Sequence, residues 1–201
     1  MREDKMKDPA PELGKPFPNK PQRLRGLKDG EFSDAARQAL QGWWPPLNLH
    51  RVLGHSPETL AAWIGFGSHI LRGNLLDQTL RELIILRVGW LARSAYEWGQ
   101  HAGLSRRLGI PDADIARVAL GPDAPGWSPL TAAALRGVDQ MMQGFSIDDE
   151  VYAVLSAHLT PAQLVDYVML VGEFVLVSLT LNVFQIALDP GLEPMPGESR
   201  S

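Results

Sequence analysis

Cysteine is absent from all 201 residues. With no thiol, these residues form no disulfide, bind no metal through sulfur and run no thiol redox cycle, so peroxide reduction by cysteine is excluded within them. An excess of positive charge is also lacking. Lys and Arg number 19 against 23 Asp and Glu, the net charge is −4 and the pI is near 5.7. No basic stripe emerges to neutralise phosphates, so no nucleic-acid partner is expected. The N-terminus lacks the uninterrupted apolar run of a signal peptide, which makes a cytoplasmic location the expectation. Alternating strand patterns are missing too, so the expected fold class is all-α.

What is present fits one compact domain with trimmed ends: 45% of residues are hydrophobic and 21% charged. Eight Lys or Arg and five Asp or Glu alternate in sign through the first thirty residues, and five prolines fall between Pro9 and Pro21. Residues 1–32 therefore read as a Pro-rich, partly disordered arm, 33–188 as the helical domain and 189–201 as a flexible tail. The segment from Leu164 to Leu188 is long enough to span a bilayer, yet it contains Asp166, Glu173, Asn182 and Gln185. It reads as a buried core helix, and no membrane partner is expected.

Punctuation places the helices. Ser33 or Asp34 caps a short helix that Pro45-Pro46 stops, and Ser56-Pro57-Glu58 opens one ending near Gly73-Asn74, where a left-handed cap is expected. Asp77 begins a helix whose apolar positions cover most of its circumference, making Glu82 and Arg87 costly residues. Further helices are predicted over Tyr96–Leu108, Asp112–Leu120, Ser128–Gln143, Asp148–Leu159 and from Thr160-Pro161 onward.

Chemistry concentrates in Tyr96-Glu97-Trp98-Gly99-Gln100-His101. Glu97 and His101 stand four residues apart and share a helix face, so the carboxylate can fix the imidazole's tautomer and raise its basicity. Glu82, one helix earlier, could hold a proton if desolvated, or simply pair with Arg81 or Arg87. The Arg87 fork suits a substrate carboxylate, and Tyr96 could line a pocket. Glu82, Glu97 and His101 could also supply an iron or manganese ion. No His-Glu-x-x-His is present, however, and the other histidines show no ligand spacing, so the reading favours chemistry without metal. No Gly-x-Ser-x-Gly is present either, which gives a serine hydrolase little support.

Several motifs carry a resemblance: Phe66-Gly67-Ser68-His69, the run from Arg81 to Trp90, the Tyr96–His101 segment, the loop from Gly121 to Trp127, and Leu181-Asn182-Val183-Phe184. In these the chain resembles the carboxymuconolactone decarboxylase family, within the fold shared with alkyl hydroperoxidase D, from about Asn48 to Leu192. Hydroperoxidase members use a Glu, a Cys-x-x-Cys pair and a His. The resemblance places that Glu on Glu82, the His on His101 and the cysteines on Ser94 and Glu97, implying shared architecture without peroxidase activity. The decarboxylase branch needs no cysteine pair and no cofactor, and its Glu-x-x-x-His segment matches Glu97 and His101.

The resemblance thus implies a trimeric or hexameric enzyme doing cofactor-independent acid/base chemistry on a small carboxylated or lactone-like substrate. His101 would be the main acid/base, Glu97 would orient it and Glu82 would complete the relay. Arg87 or His69 would contact substrate, and Tyr96 would line the pocket. The alternative is a non-catalytic helical binding or assembly module that kept the fold after losing the redox pair.

Overall fold

In the computed structural model, residues 21–193 and 195–196 are described. Helix starts follow the capping chemistry of the sequence. Ser33, Asp77, Ser94, Ser128, Asp148 and Thr160 each accept a backbone N–H in the first turn of the helix that follows. Pro57, Pro129 and Pro161 occupy first-turn positions, where the missing N–H costs nothing. The helices are α1 (Asp34–Ala39), α2 (Asn48–Leu53), α3 (Pro57–Ser68), α4 (Gln78–Leu91), α5 (Ala95–Arg107), α6 (Asp112–Leu120), α7 (Pro129–Gly144), α8 (Asp149–His158) and α9 (Pro161–Phe184). There is no strand among the described residues.

Helix α4 is the axis of the molecule. Every residue from Leu80 to Gly89 is buried, because α5, α6, α7 and α9 pack around it. Ile84, Ile85 and Val88 meet Val138 of α7, Leu155 of α8 and Leu170 and Phe174 of α9 in the main core. Leu83 and Leu86 face a second cluster with Trp98, Ile115 and Leu135. Gly89 allows α5 to approach closely, since a β-carbon there would lie 3.4 Å from Cβ of Glu97. Asn182 of α9 donates to the Ala92 carbonyl at 2.8 Å, satisfying a backbone acceptor at the α4–α5 turn.

The expected arm and tail are packed where they are described, and one helix end differs from expectation. Residues 1–20 of the expected arm lie outside the described residues, but 21–32 are packed: Arg23 N–H donates to the Phe184 carbonyl at 2.9 Å, and Phe32 joins Leu40 and Leu60 in a core cluster. The C-terminal segment is likewise no free tail as far as it is described. Ile186 is buried against Tyr96, and Met195 against Trp98. Helix α3 does not end in a left-handed cap; a single π turn, His69–Gly73, prolongs it. Gly73 is needed there for space, as a β-carbon would sit 2.7 Å from Nδ1 of His69.

Helix α9 is only half a core helix. By length and composition it could cross a membrane, yet one face, with Tyr167, Leu170, Phe174 and Leu181, is buried in the domain. The opposite face leaves Val165, Val168, Met169, Leu176, Leu179 and Val183 exposed.

Candidate active site

The polar cluster is assembled by the antiparallel contact of α4 and α5. Glu82 leaves α4 toward His101 of α5, and its Oε2 lies 2.7 Å from His101 Nδ1. On the other side of the ring, His101 Nε2 lies 3.2 Å from Glu97 Oε1, one turn back along α5. Both ring nitrogens therefore face carboxylates, an arrangement that favours the doubly protonated imidazolium. The Phe174 ring meets the imidazole edge-on, with centroids 5.0 Å apart, and keeps water away from it.

Burial by itself would lower the His101 pKa, but the hydrogen bonds to Glu82 and Glu97 and their negative charges outweigh it and push it up to about 9. Burial works the other way on Glu82, favouring its protonated form. The His101 hydrogen bond and the charges of His101 and Arg81 prevail and hold its carboxyl below the usual carboxylate range. Arg81 Nη2 stands 3.2 Å from Glu82 Oε1 and closes the row from behind. Arg81, Glu82, His101 and Glu97 thus stand in a row in which basic and acidic groups alternate.

Glu97 and His101 line a cavity of about 180 Å³ enclosed by α2, α3, α5, α9 and the chain before α2. Its walls are mostly apolar, with Trp43, Leu49, Trp63 and Phe174 among them, and Arg107 stands on its lining. His50 is buried in the same wall. Its Nδ1 accepts the Leu47 N–H at 3.2 Å, and burial lowers its pKa to about 4 despite the Asp189 charge, so it is neutral.

The remaining sequence candidates separate. Tyr96 lines the cavity, but its hydroxyl donates to Asp189 of the C-terminal segment, and burial followed by that contact raises its pKa. Gln100 donates to the same carboxylate at 3.1 Å, and Asp189 also accepts the Asn48 N–H at 2.9 Å. Gly99 lies where the segment crosses α5, because a β-carbon there would come within 2.6 Å of the Glu193 carbonyl oxygen. The motif is thus divided in labour: Glu97 and His101 carry the charged cluster at the cavity, while Tyr96, Gly99 and Gln100 also hold the C-terminal strap against α5.

Arg87 does not reach the cavity. Its fork closes on Asp139 of α7 at 2.6 and 2.8 Å, and its third nitrogen donates to the Val118 carbonyl at 2.9 Å. The guanidinium is committed to joining α4, α6 and α7, so the expected substrate contact is not retained. His69 points to the outside, half exposed and 3.8 Å from Asp166, and is likewise removed from the site. Ser94, where a redox relative would carry a cysteine, is fully buried and caps α5. Among the described residues no group of three His, Asp or Glu side chains is arranged to hold a metal ion.

Sequence reasoning missed Glu173, noted only as a charge within an apolar helix. It lines the same cavity, and neither carboxylate oxygen has a hydrogen-bond partner. Burial raises its pKa to about 7; the Trp63 indole offsets this in part, and the Glu97 charge adds to it.

The all-helical fold, with one buried helix offering a Glu to a His on the next, is similar to that of alkylhydroperoxidase D-like structures. Solved structures share this fold. An alkylhydroperoxidase AhpD core, an uncharacterized peroxidase-related protein from Ralstonia eutropha JMP134, superposes with a TM-score of 0.73 at 16% identity, over 84% of this chain and 93% of that one. An uncharacterized peroxidase-related protein from Silicibacter sp. TM1040 gives 0.70 at 15%, over 90% and 97%. The debrominase Bmp8 gives 0.70 at 11%, over 83% and 92%. No curated protein matches the chain by sequence. Residues 57–140, which include Glu82, Glu97 and His101, match the model of the carboxymuconolactone decarboxylase family, and the sequence contains no cysteine.

Proposed function

We propose that the protein is a cytoplasmic, homo-oligomeric, cofactor-independent acid/base enzyme acting on a small carboxylated or lactone-like molecule, as a decarboxylase or lactone-converting enzyme. The observation that carries this reading is the protonated His101 held between Glu82 and Glu97 at the wall of an apolar cavity. A static binding module has no need of such a charge row beside an open space, and the cavity that reaches His101 favours catalysis over assembly.

The geometry supports roles that differ from the sequence expectation. Because both His101 nitrogens are engaged, Glu97 is the group that exchanges a proton with substrate, and His101 supplies and recovers that proton. Glu82, at the back, keeps Nδ1 protonated. In decarboxylation the carbon–carbon bond to the carboxylate breaks, and its electron pair moves into a conjugated carbonyl as a dienolate. The proton passed from His101 through Glu97 then goes to carbon. Arg107, rather than Arg87, stands where it could anchor a second substrate carboxylate.

The oligomer has its own support. The exposed stripe on α9 runs beside an open apolar groove of about 800 Å³ between α3 and α9. Such a face suits a self-complementary contact about a two-fold axis, as a hexamer of paired subunits would contain, whereas a trimer would set it against a different patch of the next copy.

Decarboxylation and lactone turnover across a panel of carboxylated butenolides tests the enzyme reading. His101→Ala should lower kcat by about 10²- to 10⁴-fold. Equal rates in the two proteins would remove the site assignment.

A further inference from the structure

Glu173 is the polar group of the cavity that the relay leaves unused. It lies outside the segment that matches the family, and it lines both the enclosed cavity and the open groove. The residue is 3% exposed, and neither of its buried oxygens has a partner of hydrogen-bond geometry, although the Trp63 indole stands near enough to act on it. A carboxyl in that state weakens the fold unless something that binds in the cavity completes its hydrogen bonds. Burial and the Glu97 charge favour its protonated form, against the Trp63 indole. Glu97, His101 and Arg107 of α5 and His50 of α2 share the cavity, and Glu58 of α3 lies on the groove side. Arg107 lies at the far end of α5 from Glu97, and the His101 charge is already shared between two carboxylates. Space is kept in front of the carboxyl by Gly67 of α3, where a β-carbon would come within 3.4 Å of Oε1.

A neutral carboxyl donates a hydrogen bond, which none of the carboxylates in the relay can do. We propose that Glu173 receives the carbonyl oxygen of the molecule bound in this cavity, donating its O–H to it from α9 while Glu97 faces the same molecule from α5. The chemical use of this contact rests on the acid/base reading above; the binding does not. When the substrate's carbon–carbon bond breaks and its electron pair forms the new carbon–carbon double bond, the carbonyl oxygen takes the Glu173 proton and becomes an enol. Glu173 is left as a carboxylate. On return to the ketone form, the enol O–H gives its proton back to Glu173 and carbon gains its proton from Glu97. The donor is aimed at charge that develops only as the reaction proceeds.

The probe is a simple butenolide with an isotope-labelled carbonyl, titrated into the whole protein and followed by infrared spectroscopy and by NMR. In the wild type the carbonyl band should shift to lower frequency, and the shift should fade as pH rises through about 7. Glu173→Gln, whose amide also donates, should keep the shift at every pH and bind within about threefold of wild type, whereas Glu173→Leu should lose it and bind about tenfold more weakly. Glu173→Leu should also melt at a higher temperature than wild type, because it removes an unpaired buried carboxyl. An unshifted carbonyl in the wild type, the same shift and affinity in Glu173→Leu, or no occupancy of the wild-type cavity would each overturn the proposal. These readouts do not use turnover. A shifted carbonyl with turnover indifferent to His101 would sustain Glu173 and overturn the relay; normal His101-dependent turnover with an unshifted carbonyl would do the reverse.

Discussion

His101 has no nitrogen left for a substrate, and this decides how the site divides its work. A histidine with one free nitrogen can act directly as acid or base, but here Nδ1 and Nε2 are 2.7 and 3.2 Å from carboxylates. Glu97→Gln should therefore cost about as much as loss of His101, roughly 10²- to 10⁴-fold in kcat, while leaving KM for the same butenolide substrate within a few-fold. A selective rise in KM would instead make Glu97 a binding residue. Glu82→Gln should be the more damaging change for the fold. It removes a buried charge that serves Arg81 and His101 together, at a cost of about 3–5 kcal/mol in denaturant unfolding. The meeting of Glu97 with His101 was legible from a spacing of four residues, and Glu82 from its costliness in an apolar helix. Arg87 was not legible as structural, because Asp139, which closes its fork, arrives 52 positions later on α7. Glu173 was hidden for a related reason: which face of an apolar helix a charge occupies depends on where the helix docks.

Helices announced themselves through caps and prolines, and the starts of α1, α4, α7, α8 and α9 follow them. The strap after α9 carried no such signal. A proline-rich, glycine-containing segment reads as a tail, and only the fold shows Asp189 bound to Tyr96, Gln100 and Asn48 at once. Two substitutions test whether the strap is structural. Gly99→Ala forces a methyl group against the Glu193 carbonyl and should destabilise by about 1–3 kcal/mol. Asp189→Ala should lose about 1.5–3 kcal/mol, since it strips hydrogen bonds to a charged group. Unchanged urea midpoints for both would show that the strap contributes nothing to the fold. The exposed face of α9 belongs to the same scale. Leu176→Asp should shift light scattering toward the monomer, and a wild-type protein already monomeric would contradict the oligomer.

For the whole molecule, Glu173 and His101, whose raised pKa values lie nearest neutrality, make stability fall as pH rises. Glu173, raised from 4.5 to about 7, binds a proton in the folded state that the unfolded state has released, so its contribution is present at low pH and lost as pH climbs through that interval. His101, raised from 6.5 to about 9, contributes fully below its unfolded value and loses that contribution as pH rises through about 9. His50, lowered to about 4, works the other way up to about pH 6.5 and offsets Glu173 there, so melting temperature should stay nearly level to about pH 6.5 and decline from there to about pH 9, and Glu173→Leu should turn the level part into a rise. The absence of cysteine meanwhile rules out thiol redox chemistry within these residues. Where a thiol pair would carry electrons, Ser94 caps a helix and Glu97 faces a cavity beside a charged imidazole. That charge is the central claim, and nitrogen NMR of the His101 ring across a pH titration tests it most directly. The predicted result is an imidazolium with both nitrogens protonated at neutral pH and a midpoint near about 9. A ring with one protonated nitrogen at neutral pH, titrating near the ordinary histidine value of about 6.5, would contradict it.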